Sequence, residues 1–404
     1  MCYYPSMKVS QKDDKIDELL TRGVDKIYPS REKLEEILRF GKKIRLYQGF
    51  DPTGDKLHLG HMVGLRKHRQ WQDLGHEVIF LIGDGTGEAG DPTGKKKTRE
   101  KFFTSEELRE NAKGYLEQAK KIVRFDGPNP IKILYNGEWL NKLTKTDILN
   151  IAQNFSVQQL IERDMFQERL KTGESINVRE FLYPLLQAYD SVAMDVDLEL
   201  GGSDQTFNML AGRTLMRAMK GKEKFVMTTP LLSDAKDVKI GKSEGNVIGL
   251  TDPAGELFGK IMSLGDDATI PMFTLLTDVP MEEIEKFNLK KDAMALKKRV
   301  ASLIVTQLHD ESSAKAAEEA FSNTFQKKEI PEVMEEIKTK AGEPLSEVLV
   351  KNKVLTSKGE WRRLVLGNGV HDLEKNDTIT DQNIKITENL TLKIGKKRFV
   401  KIII

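Results

Sequence analysis

Apolar positions recur at helical spacing across residues 13–40, where Leu19, Leu20, Leu34, Ile37 and Leu38 predict helix. The pattern then shortens. Residues 44–50 predict a strand, broken by Asp51-Pro52-Thr53-Gly54, and residues 61–74 a helix stopped at Gly75. The run EVIFLI at 77–82 is short and continuously apolar, as expected of a strand covered on both faces in a parallel sheet. A glycine-rich loop follows at 83–94, and Thr104-Ser105-Glu106-Glu107 predicts a capping box opening a helix to about residue 122. Further strands are predicted at 131–135, 198–200 and 225–228, with helices at 147–169, 178–192 and 203–219.

Strands alternate with helices to about residue 230. This predicts an α/β domain with a parallel sheet, whose right-handed crossovers put the strand C-termini, and so the site, on one edge. The composition changes after Gly249. Residues 253–340 carry almost only helical patterns, and the last sixty have shorter elements and a strand-like finish. Domains are therefore expected over 1–250, 251–341 and 342–404, the last a small α+β unit, in line with the length of 404 residues.

Composition adds limits. With 39% hydrophobic and 31% charged residues the chain reads as globular and soluble. The single cysteine, Cys2, permits neither an internal disulfide nor a cysteine metal cluster; six histidines leave a histidine–carboxylate site open. The first residues lack an apolar signal core, and Asp13 and Asp14 argue against a transit peptide. The longest apolar runs, near 78–82 and 402–404, fall far short of the ~20 residues that span a bilayer. A cytoplasmic protein without membrane attachment is expected. The net charge of +2 says little, but residues 342–404 hold 12 basic and 8 acidic residues, with Lys396, Lys397, Arg398 and Lys401 clustered. That cluster fits either a solvated rim or a surface for RNA phosphates.

Five segments carry candidate chemistry. His58-Leu59-Gly60-His61 follows a strand and a turn and opens a helix, so two imidazoles three residues apart share one face at a helix N-terminus. Gly60 leaves room for a flat base. Gly85-Thr86-Gly87-Glu88-Ala89-Gly90 matches GxGxxG after a strand, with Glu110 twenty residues on, but the turn Asp91-Pro92-Thr93-Gly94 stands where a dinucleotide fingerprint needs its helix. Lys239-Ile240-Gly241-Lys242-Ser243 sets two lysines about a glycine on a loop able to wrap a polyphosphate. Gly201-Gly202-Ser203-Asp204-Gln205 ends a strand without side chains and starts a helix. Tyr183, Gln187 and Asp190 lie at i, i+4 and i+7, a polar trio among leucine and alanine that predicts a lined pocket. Each has a plainer reading singly: a surface accident, a turn, a basic loop or a surface stripe.

Together and in this order the segments resemble a class I aminoacyl-tRNA synthetase. His58–His61 looks like the HIGH motif of that class, and Lys239–Ser243 like its KMSKS loop in the looser Lys-x-Gly-Lys-Ser form, with Ile240-Gly241 in place of Met-Ser. Tyr47-Gln48-Gly49-Phe50-Asp51-Pro52-Thr53, Gly90–Lys95, Tyr183…Gln187…Asp190, Gly202–Gln205 and the stretches at 138–140 and 162–164 narrow the likeness to tyrosyl-tRNA synthetases of bacterial type. Residues 357–364 resemble a small RNA-binding fold shared with a ribosomal protein and some pseudouridine synthases.

The resemblance implies a Rossmann-like catalytic domain, a helical anticodon-binding domain and a C-terminal RNA-binding domain. It implies L-tyrosine, ATP with Mg²⁺ and tRNA(Tyr) as substrates, no resident structural metal, and a homodimer formed through residues 136–169. By position, Tyr47 and Asp190 would meet the substrate phenol, Asp91, Tyr183 and Gln187 its ammonium, and Gln205 its carboxylate. Asp204 with Gly202 would bind the ribose and Gly60 would lie against adenine. Thr53, His58 and His61 would touch phosphates, while Lys95, Arg99, Lys239 and Lys242 would close over pyrophosphate. The chemistry suits these residue types: the nucleophile is a carboxylate already ionised at neutral pH, so alignment and positive charge are needed rather than a base. Three rivals make different demands. A dinucleotide oxidoreductase needs the GxGxxG loop to hold a cofactor. A tryptophanyl-type enzyme should lack the Tyr47/Asp190 pair, and a non-catalytic RNA-binding protein should have broken lysine or histidine motifs.

Overall fold

The computed structural model describes residues 8–93, 95, 102–233, 247–323, 334–375, 377–395 and 398–404. These fall into two compact units, 1–314 and 315–404.

The first unit is built on a six-stranded sheet in the order β1-β6-β5-β2-β3-β4. Its strands are β1 (Lys26–Tyr28), β2 (Arg45–Phe50), β3 (Glu77–Ile82), β4 (Lys132–Tyr135), β5 (Leu198–Gly202) and β6 (Phe225–Thr229). Five strands are parallel, as expected. β1 was not expected: residues 13–40 form two helices, Asp13–Thr21 and Arg31–Arg39, with this short strand between them, paired antiparallel to β6. The first helix ends before Gly23, whose φ of +64° suits glycine. A strand of three residues leaves no periodicity to read, and its pairing with Val226–Thr228 supplies what local sequence does not.

The apolar run at β3 is buried along nearly its whole length, with parallel partners on both sides. Chain order runs outward from β2 to β3 and β4, then returns to β5 on the other side of β2. This reversal opens a crevice at the strand C-termini, the place where open α/β sheets bind ligands. Four helices matter to that crevice: α1 (Leu59–Asp73), α2 (Ser105–Ala119), α3 (Val178–Met194) and α4 (Thr206–Lys220). α2 starts on the expected capping box, in which Thr104 and Glu107 exchange hydrogen bonds. The single helix expected over 147–169 is three short ones, Lys145–Ala152, Val157–Ile161 and Asp164–Thr172, each newly started where the chain turns. Thr144 and Ser156 cap the first two.

Residues 254–314 are mostly helical, as expected, and belong to this first unit. Arg22 donates to the carbonyls of Phe273, Thr274 and Thr277, and Arg66 to Gln307. The second unit holds a five-stranded sheet ordered β7-β11-β10-β8-β9, formed by β7 (Glu335–Lys338), β8 (Val370–Asp372), β9 (Asp377–Thr378), β10 (Leu390–Ile394) and β11 (Arg398–Ile403). β7 precedes the boundary expected at 341 and pairs in parallel with β11, so this sheet recruits sequence that reads as part of the helical region. The core of this unit gathers Trp361, Leu345, Leu349, Val370 and Ile402. Of its basic cluster, Lys396 and Lys397 lie outside the described residues.

Candidate active site

The crevice is a cleft of about 310 Å³. Thirteen of the sixteen residues singled out above line it: Tyr47, Thr53, His58, Gly60, His61, Asp91, Lys95, Tyr183, Gln187, Asp190, Gly202, Asp204 and Gln205. Arg99, Lys239 and Lys242 lie outside the described residues. The chain flanking the lysine motif does reach the cleft, since Pro230–Leu232 line it and Gly249 bridges to His58.

At one end His58 caps α1. Its Nδ1 accepts from Gly60 N at 3.2 Å, and His61 Nδ1 accepts from His58 N at 3.1 Å. With both Nδ1 atoms accepting, the proton of each uncharged ring sits on Nε2. The ring centroids are 3.9 Å apart, so the two imidazoles lie side by side at the helix N-terminus. Across the cleft, a Cβ on Gly202 would lie 2.6 Å from Asp204 Oδ1, so the glycine leaves room for the carboxylate there.

The other end is a buried polar slot. Tyr47, on β2, is fully buried, and Asp190, on α3, is 1% exposed. Asp190 accepts from Trp139 Nε1 at 2.8 Å and from Asn136 Nδ2 at 3.1 Å. Burial pushes its carboxyl well above the usual carboxylate range, and those two donors pull it part of the way back. Burial, with Glu199 and Asp190 adding to it, also raises the Tyr47 phenol, which stays a proton donor. Tyr183 donates to Asp51 at 2.9 Å, and Asp91 accepts from Gln205 at 2.9 Å. Asp91, Tyr183 and Gln187 line the same cleft as the slot and the histidines.

Several supporting residues escaped the sequence reading. Asn136 follows β4, accepts from Gly85 N at 2.8 Å and donates to Thr86 and Asp190, joining the glycine-rich loop to the slot. Asp51 accepts from both Thr86 and Tyr183. Glu199, on β5, forms a fully buried ion pair with Lys224 and accepts from Gln187. A buried charge within an apolar strand, as in LEL at 198–200, was the signal available for Glu199.

The GxGxxG glycines have packing roles. A Cβ on Gly85 would stand 3.1 Å from Leu140, and one on Gly87 2.8 Å from Leu108. Gly90 has φ of +80°. The helix that starts within the motif, Thr86–Ala89, is a single turn, too short to serve a dinucleotide.

Comparison with known proteins shows the family. Residues 39–326 match the family described as tRNA synthetases class I (W and Y). The chain is 42% identical to a tyrosine–tRNA ligase of Carboxydothermus hydrogenoformans, over 96% of this chain and 97% of that one. It is 39% identical to a tyrosine–tRNA ligase of Dehalococcoides mccartyi, over 98% and 100%. Among solved structures, a C-terminally truncated mitochondrial tyrosyl-tRNA synthetase of Aspergillus nidulans superposes with a TM-score of 0.64 at 24% identity, covering 78% of this chain and 95% of that one, a likeness of fold. With its histidine motif, its crevice at the sheet reversal and relatives matched along nearly the full length, the chain belongs to the class I aminoacyl-tRNA synthetases, among the bacterial-type tyrosyl-tRNA synthetases.

Proposed function

We propose that the cleft binds L-tyrosine and ATP side by side, as the first half of a tyrosine–tRNA ligase reaction. The observation that carries this reading is the meeting of a buried Tyr47/Asp190 slot and a paired-histidine helix start in one crevice. The phenol enters the slot, accepting from Tyr47 and donating to Asp190. Asp91, Tyr183 and Gln187 hold the ammonium, and Gln205 the carboxylate. Asp204 and the bare backbone at Gly202 receive the ribose, and Gly60 lies against the adenine.

The tyrosine carboxylate attacks the α-phosphorus, forming the mixed anhydride tyrosyl-adenylate, and the bond to pyrophosphate breaks. Thr53 and the Nε2–H groups of His58 and His61 donate to phosphate oxygens as charge shifts to the leaving group. Lys95, Arg99, Lys239 and Lys242 neutralise that group. Mg²⁺ comes with ATP, held by phosphates and water, and supplies further charge neutralisation. Among the described residues no cluster of three or more metal-binding side chains is found. A ribose hydroxyl of the terminal adenosine of tRNA(Tyr) then attacks the tyrosyl carbonyl, and AMP leaves.

The helical region after residue 250 takes the anticodon arm, and the C-terminal α+β unit takes further RNA. Two copies pair through residues 136–169, where Ile148, Leu149 and Val157 are exposed. No described helix is long and apolar enough to cross a membrane. We place the reaction in the cytoplasm. Amino-acid-dependent ATP–pyrophosphate exchange tests the reading. Exchange driven by tyrosine, with tryptophan and phenylalanine near background, is expected; exchange driven by tryptophan would overturn it.

A further inference from the structure

Behind the slot lies a buried polar cluster to which the reaction as described gives no role. Lys224, just before β6, and Ser191, on α3, have no exposure, and Glu199 is 2% exposed. Lys224 Nζ donates to Ser191 Oγ at 2.8 Å and is ion-paired with Glu199 Oε2. Ser191 Oγ lies 3.0 Å from Tyr47 Oη and 3.5 Å from Glu199 Oε2. Gln187 Nε2 donates to Glu199 Oε1 at 2.9 Å. A Cβ on Gly212, in α4, would stand 2.4 Å from Lys224 Nζ and 2.9 Å from Ser191 Oγ, so the glycine makes room for the cluster.

The direction of each hydrogen bond follows from donor inventory and distance. An ammonium only donates, so Ser191 Oγ must accept from Lys224. The Ser191 proton then has two acceptors in reach. Glu199 at 3.5 Å is beyond the usual O–H···O range, whereas Tyr47 Oη at 3.0 Å is within it. With Ser191 donating to Tyr47, the Tyr47 proton is left for the slot and for Glu199, with which Tyr47 also hydrogen-bonds. A carboxylate only accepts, so Glu199 turns the Gln187 amide with its NH₂ inward. Gln187 Oε1, buried and unpartnered among the described residues, is then left as an acceptor on a residue that lines the cleft.

We infer that the buried Lys224–Glu199 pair is a positioning device that sets hydrogen-bond polarity at both ends of the tyrosine site, making Tyr47 a donor to the phenol oxygen and Gln187 an acceptor for the ammonium. This rests on the binding reading given above. Lys224 does not line the cleft, and it acts through Ser191 and Glu199.

The test is pyrophosphate exchange by the full chain, comparing wild type with Lys224→Met and with the double variant Lys224→Met/Glu199→Gln. The double variant removes both charges, so the fold is not left with one unpaired buried ion. In both variants the tyrosine KM should rise about tenfold or more, the size of one lost hydrogen bond to a charged group, with the ATP KM unchanged. The tyrosine-over-phenylalanine ratio should narrow by a similar factor. If the double variant melts near the wild-type temperature and keeps the wild-type tyrosine KM and ratio, the pair is only structural and the inference is overturned. Tyrosine and ATP KM values that rise together would overturn it equally, since a loosened fold moves both. A wild-type chain without tyrosine-dependent exchange would instead sink the underlying site reading, and this inference with it.

Discussion

On the proposed reading, Asp190 stands where selection for tyrosine is made. Its carboxylate is buried and held by Asn136 and Trp139, so a phenylalanine in the slot would leave it and Tyr47 without the hydroxyl they face. A site built to hydrogen-bond a substrate hydroxyl rejects the analogue lacking it by ~10⁴–10⁵, a magnitude that comes from tyrosyl-tRNA synthetases as a family. Asp190→Ala should therefore lower tyrosine-over-phenylalanine discrimination in kcat/KM by at least about tenfold. Unchanged selectivity would remove Asp190 from this role. A second effect at this scale concerns stability. Burial lowers His68 to about 3 and His76 to about 4, from an ordinary value of 6.5. The unfolded chain then binds protons that the folded chain refuses, so stability is full above about pH 6.5 and falls as pH drops toward 3–4. Each histidine adds a slope of about 1.4 kcal/mol per pH unit within its window. Urea titrations of wild type and His68→Met between pH 6.5 and 4 should show the variant less acid-sensitive by one such slope; equal slopes would contradict this. The residues that line the cleft were legible because glycines, histidines and a polar helical stripe stand out in the chain. Asn136, Ser191 and Lys224 were not, because each acts through a neighbour distant in sequence, and only the folded sheet brings them to Asp190, Tyr47 and Glu199.

At the level of elements, the turn after Pro92 is held from outside. Arg169, on Asp164–Thr172, donates through Nη1 to both carboxylate oxygens of Glu180 of α3, at 2.9 and 2.8 Å, and through Nη2 to the Lys95 carbonyl at 3.0 Å. Both side chains of the pair are nearly fully buried. Arg169→Met should cost about 3–5 kcal/mol, because it leaves the Glu180 charge in the interior without its guanidinium. Denaturant unfolding would measure this, and a loss below about 1 kcal/mol would show the pair to be dispensable. β3 and α2 were readable from sequence, one from its unbroken apolar run and the other from its capping box. β1 was not, because three residues carry no period and pairing with β6 decides them. The helix expected over 147–169 failed for a related reason: an apolar helical period continues across the breaks before Val157, where Ser156 caps a new start, and before Asp164, and periodicity does not report a change of axis.

For the molecule as a whole, α/β alternation and the position of the cleft followed from strand–helix order, since a sheet that reverses direction between β2 and β5 opens at only one edge. The boundary at 341 did not follow, because β7 belongs to a sheet whose other strands lie more than thirty residues later. Assembly is the remaining property at this scale. Leu149 and Val157 are 58% and 68% exposed within the segment proposed to pair two copies. Leu149→Asp/Val157→Asp should convert a dimer to a monomer in light scattering, with the melting temperature little changed because neither side chain is in the core. A wild-type monomer would contradict the pairing.

The position of the phenol tests the site most directly, through a crystal structure with a non-hydrolysable tyrosyl-adenylate analogue. The expected result is the phenol oxygen within hydrogen-bonding distance of both Tyr47 Oη and an Asp190 carboxylate oxygen, with the adenine over Gly60. An analogue seated with its ring elsewhere, or with Asp190 still bonded only to Asn136 and Trp139, would contradict it.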